Sequence, residues 1–185
     1  MNDLVKLVQQ WSINKGLDEA DSRGQFLKIV EEVGEVAAAL ARSDVDNLKE
    51  EIGDVVVTLI VYAQQNGVDI SIDMEDLTFS DRDSMWHILR VINGVRNLGG
   101  CYQSGISHFI SEIIGDLTSL SLSNKLNIGE CLQAAYTKIS GRTGKMVNGI
   151  FVKDGDIKTP YDPNIWPKNK RDSEGDSDYQ NELKI

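Results

Sequence analysis

The chain is poor in the residues that cross-link folds, bind zinc or break helices. Its 2 cysteines, Cys101 and Cys131, form no CxxC pair, and its 2 histidines, His87 and His108, are too far apart for a helical zinc motif. All four read as structural, in a reduced setting. The 3 prolines all lie beyond residue 159, which leaves the preceding chain free to be helical. Basic residues are outnumbered, 19 Lys and Arg against 29 Asp and Glu, for a formal net charge of −10. No broad cationic surplus exists to neutralise a phosphate backbone, which argues against a non-specific nucleic-acid binder. No apolar run is long enough to cross a bilayer, and the first residues carry no charged-then-apolar signal pattern. The expectation is a cytoplasmic protein with no membrane partner.

What is present is helical periodicity. With 185 residues and 41% hydrophobic content, the chain can bury one core. Leu4, Leu7, Val8 and Trp11 recur at helical spacing and stop near Lys15-Gly16. A second helix is predicted from about Gln25 to Arg42 and a third from about Asp46 to Gln65, ending at the favoured cap pair Asn66-Gly67. Residues 68–82 read as a loop. Helical patterns resume over 85–98 and 105–123, separated by a Gly99-Gly100 turn, and a last helix is predicted over 128–140. The fold class expected is all-α, with antiparallel hairpins (25–66 and 85–123) forming a core like a four-helix bundle. Residues 1–153 make the domain, with a strand-like piece near 149–152. Residues 154–185 form a polar tail with too little apolar surface to fold alone.

Two acidic blocks stand out, Glu31-Glu32-Val33-Gly34-Glu35 and Glu50-Glu51-Ile52-Gly53-Asp54. Glu31 and Glu35 are one helical turn apart, and Glu32 and Glu35, like Glu51 and Asp54, are spaced i,i+3. Each block therefore aims its acids over a limited sector of its helix. A single helical glutamate is ordinarily a solvated surface residue, but a repeated block is different. Like charges this close need water or a cation to screen them, and a hairpin would converge five carboxylates on a site suited to Mg²⁺. Gly34 and Gly53 each cost a helix interior about 1 kcal/mol relative to alanine. Each directly precedes an acid, which predicts close backbone packing around the site. Glu50-Glu51-Ile52-Gly53-Asp54 is also echoed by Glu112-Ile113-Ile114-Gly115-Asp116. The same offset carries Glu31, Glu32 and Glu35 to Asn93, Gly94 and Asn97, which reads as a degenerate internal repeat that kept its scaffold and lost most of its metal-binding acids.

Around that site, Lys28 is either a phosphate contact or an i,i+4 partner of Glu32. Lys138, Arg142, Lys145 and Lys153 are suited either to neutralise phosphate oxygens or to a solvated role; Arg142 and Lys145 stay open between the two, and Lys138 and Lys153 are expected to be solvated. Trp11 and Phe26 either wall a base pocket or pack in the core. Glu32 and Glu35 are the candidates for general base.

The pattern EEVGE, fifteen residues, then EIGD resembles the signature of the MazG-like all-α nucleoside triphosphate pyrophosphohydrolases. The resemblance extends upstream through Trp11 and the run Gln25-Phe26-Leu27-Lys28, and resumes over 128–136 and 142–149. It covers about residues 1–70 and 128–153, and the repeat between them departs from the family pattern. It implies Mg²⁺-dependent hydrolysis of a (d)NTP to the monophosphate and pyrophosphate, with Glu31, Glu32, Glu35, Glu51 and Asp54 as metal ligands. It also implies assembly of helical hairpins into dimers or tetramers. The inserted hairpin leaves two arrangements open: an intrachain pseudo-dimer with one live site, or an ordinary homodimer with the insert outside. The non-enzymatic alternative is a helical interaction module or nucleotide sensor.

Overall fold

The computed structural model describes residues 1–72, 80–147 and 150–153. Among them are six helices: α1 (Asn2–Asn14), α2 (Ser22–Ala41), α3 (Val45–Gln65), α4 (Ser84–Gly100), α5 (Gln103–Ser123) and α6 (Ile128–Ser140). A two-stranded antiparallel ribbon, β1 (Gly144–Val147) with β2 (Ile150–Lys153), follows α6 in the register Gly144 to Lys153 and Val147 to Ile150. The all-α expectation is borne out for the body, and the strand-like piece belongs to this ribbon. The tail expected over 154–185 lies outside the described residues.

Short polar side chains start the helices. Asp21 accepts from the Arg23 amide, Asp44 from Asn47, Asp83 from Trp86, and Asn127 from both Gly129 and Glu130. Each satisfies an amide that the first helical turn leaves without a partner. Gly67, with φ of 65°, closes α3 as the Asn66-Gly67 pair predicts, and the Val68 amide returns to the Ala63 carbonyl. The expected turn at Gly99-Gly100 is wrong. α4 runs through both glycines, the chain turns at Cys101 and Tyr102, and α5 begins at Gln103 rather than Gly105. Gly99 has another use: a Cβ there would lie 2.5 Å from the Phe26 ring, so its glycine lets α2 and α4 meet.

Helix α3 is the axis of the molecule. It packs on α1, α2, α5 and α6, and every residue from Glu51 to Ala63 is buried. A helix enclosed on all sides should be apolar all round. Over that stretch α3 is apolar but for Gly53, Thr58, Tyr62 and two charged residues, Glu51 and Asp54. α2 lies antiparallel to α3 through a short connection. It is fastened there by Ile29, Val33 and Val36 in the core and by the Gln25 amide donating to the Thr58 carbonyl at 3.1 Å. The second hairpin, α4 with α5, packs α4 on α2 and α5 on α3.

The two glycines of the acidic blocks part ways. A Cβ at Gly53 would sit 2.1 Å from the Cys131 carbonyl oxygen, so α6 closes on α3 only because residue 53 has no side chain. At Gly34 nothing lies within 4 Å of a built Cβ, and the residue is exposed. Close packing therefore holds at Gly53 and fails at Gly34. Gly34→Ala should raise stability by about 1 kcal/mol, the helix-propensity difference alone. Gly53→Ala should lower it by roughly 1–3 kcal/mol or more, because a carbonyl must move. Thermal melts of the two variants followed by circular dichroism give opposite shifts if this reading is right.

Candidate metal centre

The hairpin α2–α3 brings the two acidic blocks face to face. Glu32, Glu35 and Glu51 each place a carboxylate oxygen within 4.8 Å of the others'. Glu32 and Glu51 are 8% exposed, and Glu35 stands at the open edge. The remaining two predicted ligands flank this group, held by lysines. Lys28 bonds Glu31 at 2.6 Å and Glu32 at 3.1 Å, and Lys138 bonds Asp54 at 3.0 Å and Glu50 at 3.2 Å. Three of the five acids thus converge directly, with Glu31 on one flank and Asp54 on the other.

The central carboxylate is electrostatically unfinished. Glu51 Oε2 is buried and has no hydrogen-bond partner, although buried acidic oxygens are normally paired. Burial first, then the neighbouring Glu35 carboxyl and Asp54, push the Glu51 pKa up to about 7 against a smaller opposing pull from Lys138. Glu32 is raised for the same first reason, burial, with Lys28 opposing and Asp54 and Glu35 adding repulsion. At Lys28 burial pulls the pKa down, but bonding and charge from Glu31 and Glu32 outweigh it and the pKa rises. At Lys138 the Asp54 and Glu50 carboxylates likewise outweigh burial. An all-oxygen donor set with an orphaned buried oxygen at its centre suits a hard divalent cation.

Other predicted site residues fall in different places. Arg142 is half-buried just after α6, and its carbonyl accepts from Lys15 Nζ at 3.0 Å. Lys145 lies in β1 opposite Val152, and its side chain is outside the described residues. Phe26 is half-buried against Tyr62, with ring centroids 6.0 Å apart, and against Gly99 on the side of α2 that faces α4. Trp11 is half-buried on α1 against the core. Both aromatic residues therefore contribute to packing. Lys138, expected to be solvated, is exposed and also reaches the Asp54 carboxylate, a contact that spans 84 residues of sequence.

Residues 24–79 match the family model of the MazG nucleotide pyrophosphohydrolase domain, a segment containing all five predicted acidic ligands. The chain is also 33% identical over 70 residues to the uncharacterized 18.2 kDa protein in the rep-hol intergenic region of Haemophilus phage HP1 (strain HP1c1). That similarity covers 37% of this chain and 43% of the phage protein, so the chain spans less than half of that relative. No solved structure matches significantly. No helix among the described residues is long and apolar enough to cross a membrane.

Because the Glu51 pKa is raised on folding, the folded chain holds a proton that the unfolded chain has released. Its contribution to stability is present below the ordinary glutamate value and is lost as pH rises toward about 7. Without divalent cation, Tm should fall as pH is raised through that window, and Glu51→Gln should flatten the slope. A divalent cation should recover most Tm at the alkaline end, where it no longer competes with the proton. Scanning calorimetry across pH, with and without chelator, measures all three.

Proposed function

On the premise that residues 24–79 carry the MazG nucleotide pyrophosphohydrolase signature, we propose that this chain hydrolyses a nucleoside triphosphate to its monophosphate and pyrophosphate, using Mg²⁺. The observation that carries this reading is the buried Glu32, Glu35 and Glu51 group with its unpartnered Glu51 oxygen. Those three residues would hold the cation, with Glu31 and Asp54 completing the set as their lysine partners let go. Bound there, Mg²⁺ would neutralise phosphate oxygens and make a water more acidic.

The chain's own groups supply the rest. Glu35, at the open edge, and Glu32 beside it are the carboxylates placed to accept a proton from the attacking water as its oxygen bonds to phosphorus. The bond that breaks releases pyrophosphate from the nucleoside monophosphate. Lys28 and Lys138 are each already engaged with two carboxylates, Lys28 with Glu31 and Glu32 and Lys138 with Glu50 and Asp54. An ammonium with three donors on a flexible stem can exchange a carboxylate for a phosphate oxygen without leaving the site. Arg142 and Lys145 sit beyond the end of α6 as further candidates for the phosphate chain.

The direct test incubates the full chain with a panel of ribo- and deoxyribonucleoside triphosphates and Mg²⁺ and measures pyrophosphate. Glu35→Gln should lower kcat by about 10²–10⁴-fold, the usual worth of a general base. Lys138→Ala should lower kcat/KM by roughly 10- to 100-fold, the equivalent of one charge-assisted hydrogen bond. Stoichiometric nucleotide binding with no turnover would instead favour a nucleotide sensor. Turnover by Glu51→Gln equal to wild type would remove the acidic group from the chemistry.

A further inference from the structure

The second hairpin matches the first at several structural positions as well as in sequence, although α5 begins at Gln103 where the counterpart of Val45, the first residue of α3, is Ser107. Under the alignment of Asp54 with Asp116, the helix-capping Asp21 falls on the helix-capping Asp83. Lys28 falls on Arg90. Lys28 pairs with Glu31 and Glu32, whereas Arg90 pairs at 3.3 Å with Asp116, the counterpart of Asp54, which in the first hairpin is held by Lys138. The contact between the hairpins maps onto itself: Phe26 meets Gly99, while their counterparts, Ile88 and Ala37, line one groove at the other end of the same helix pair. Reciprocal placement of this kind is what a twofold axis between α2 and α4 would produce.

The chemistry of the two centres differs at one matched pair. Where the first hairpin sets Glu32 opposite Glu51, the second sets Gly94 opposite Ile113. A Cβ on Gly94 would lie 2.7 Å from Ile113 Cγ1, and Ile113 is 0% exposed. The isoleucine thus fills the space that the carboxylates line in the first hairpin, and Arg90 holds Asp116, the one acid left among the counterparts of the five predicted ligands. The symmetry also accounts for the groove of about 490 Å³ between α2 and α4. Ile88 and Asn124 stand there in the places of Phe26 and Tyr62, so two rings' worth of volume is missing.

We propose that α4–α5 is a decayed copy of the cation-binding hairpin, its own centre closed by Ile113 on Gly94 and by the Arg90–Asp116 pair. One chain is then a complete pseudo-twofold unit with a single cation site. The equivalence of the hairpins stands on packing alone; the single-site clause rests on the functional reading above.

A melting cycle tests the equivalence without metal. Glu32→Gly should lower Tm in the wild-type background and raise it in a Glu51→Ile background, where the glycine lets the isoleucine seat as Ile113 does. In the second hairpin, Gly94→Ala should lower Tm, and an Ile113→Ala background should remove that loss. Equal losses from Glu32→Gly in both backgrounds, or from Gly94→Ala in both, overturn the equivalence. Mn²⁺ titration of the full chain followed by electron paramagnetic resonance tests the single site, with Glu51→Gln expected to abolish binding. Wild-type-like binding remaining in Glu51→Gln overturns the closed second site. No Mn²⁺ binding by wild type overturns the single-site clause together with the functional reading, and the melting cycle still judges the hairpins.

Discussion

Two acidic residues on a helix enclosed on every side set the terms for the rest of the molecule. α3 is buried at every position from Glu51 to Ala63, and Glu51, at the edge of that stretch beside exposed Glu50, and Asp54 are its two acids. Isolated ionised carboxylates are not tolerated there, so each must find a counter-charge or hold its proton. Asp54 finds Lys138, and it does so because Gly53 lets α6 close on α3 and bring that lysine within 3.0 Å. Glu51 finds two more glutamates. Its environment is incomplete without a cation or a proton, and the two compete for the same oxygens.

The second hairpin shows what the same scaffold does when that demand is removed. Ile113 against Gly94 is a packed apolar contact with no charge to neutralise, and Arg90 with Asp116 is an ordinary ion pair at the margin. Replacing buried charges by well-packed apolar groups is often stabilising. Keeping the carboxylates in one hairpin is therefore not explained by folding, and the contrast within one chain isolates the part of the first hairpin that packing does not require.

Helix positions were legible because they depend on local features: apolar spacing, capping aspartates and the Asn66-Gly67 stop. What failed depended on distant partners. Gly99-Gly100 reads as a turn, yet Gly99 is a glycine because Phe26, on another helix, occupies the space where its side chain would go. Gly34 and Gly53 look alike in sequence, each before an acid, and only the position of α6 separates them. Lys138 read as solvated because nothing near it in sequence is acidic. The spacing of the acids foretold which blocks would meet, but not that Glu32, Glu35 and Glu51 would form the tight group while Glu31 and Asp54 were drawn aside by lysines.

Those two lysines also bear on why the centre does not neutralise itself. Lys28 bonds Glu32 of the central group as well as Glu31, Lys138 bonds Asp54 and Glu50, and among the described residues no ion pair joins either ammonium to Glu35 or Glu51. An ammonium is a single charge with three donors, suited to bridging two oxygens from outside a cluster. A divalent ion is smaller and doubly charged, and takes several oxygens at once. On the proposed reading the two kinds of cation take different places: each lysine bridges a pair of carboxylates and keeps them from repelling one another apart, and a divalent ion would sit among Glu32, Glu35 and Glu51. A phosphate chain entering with that ion would meet both lysines, which is where its uncovered oxygens would need them.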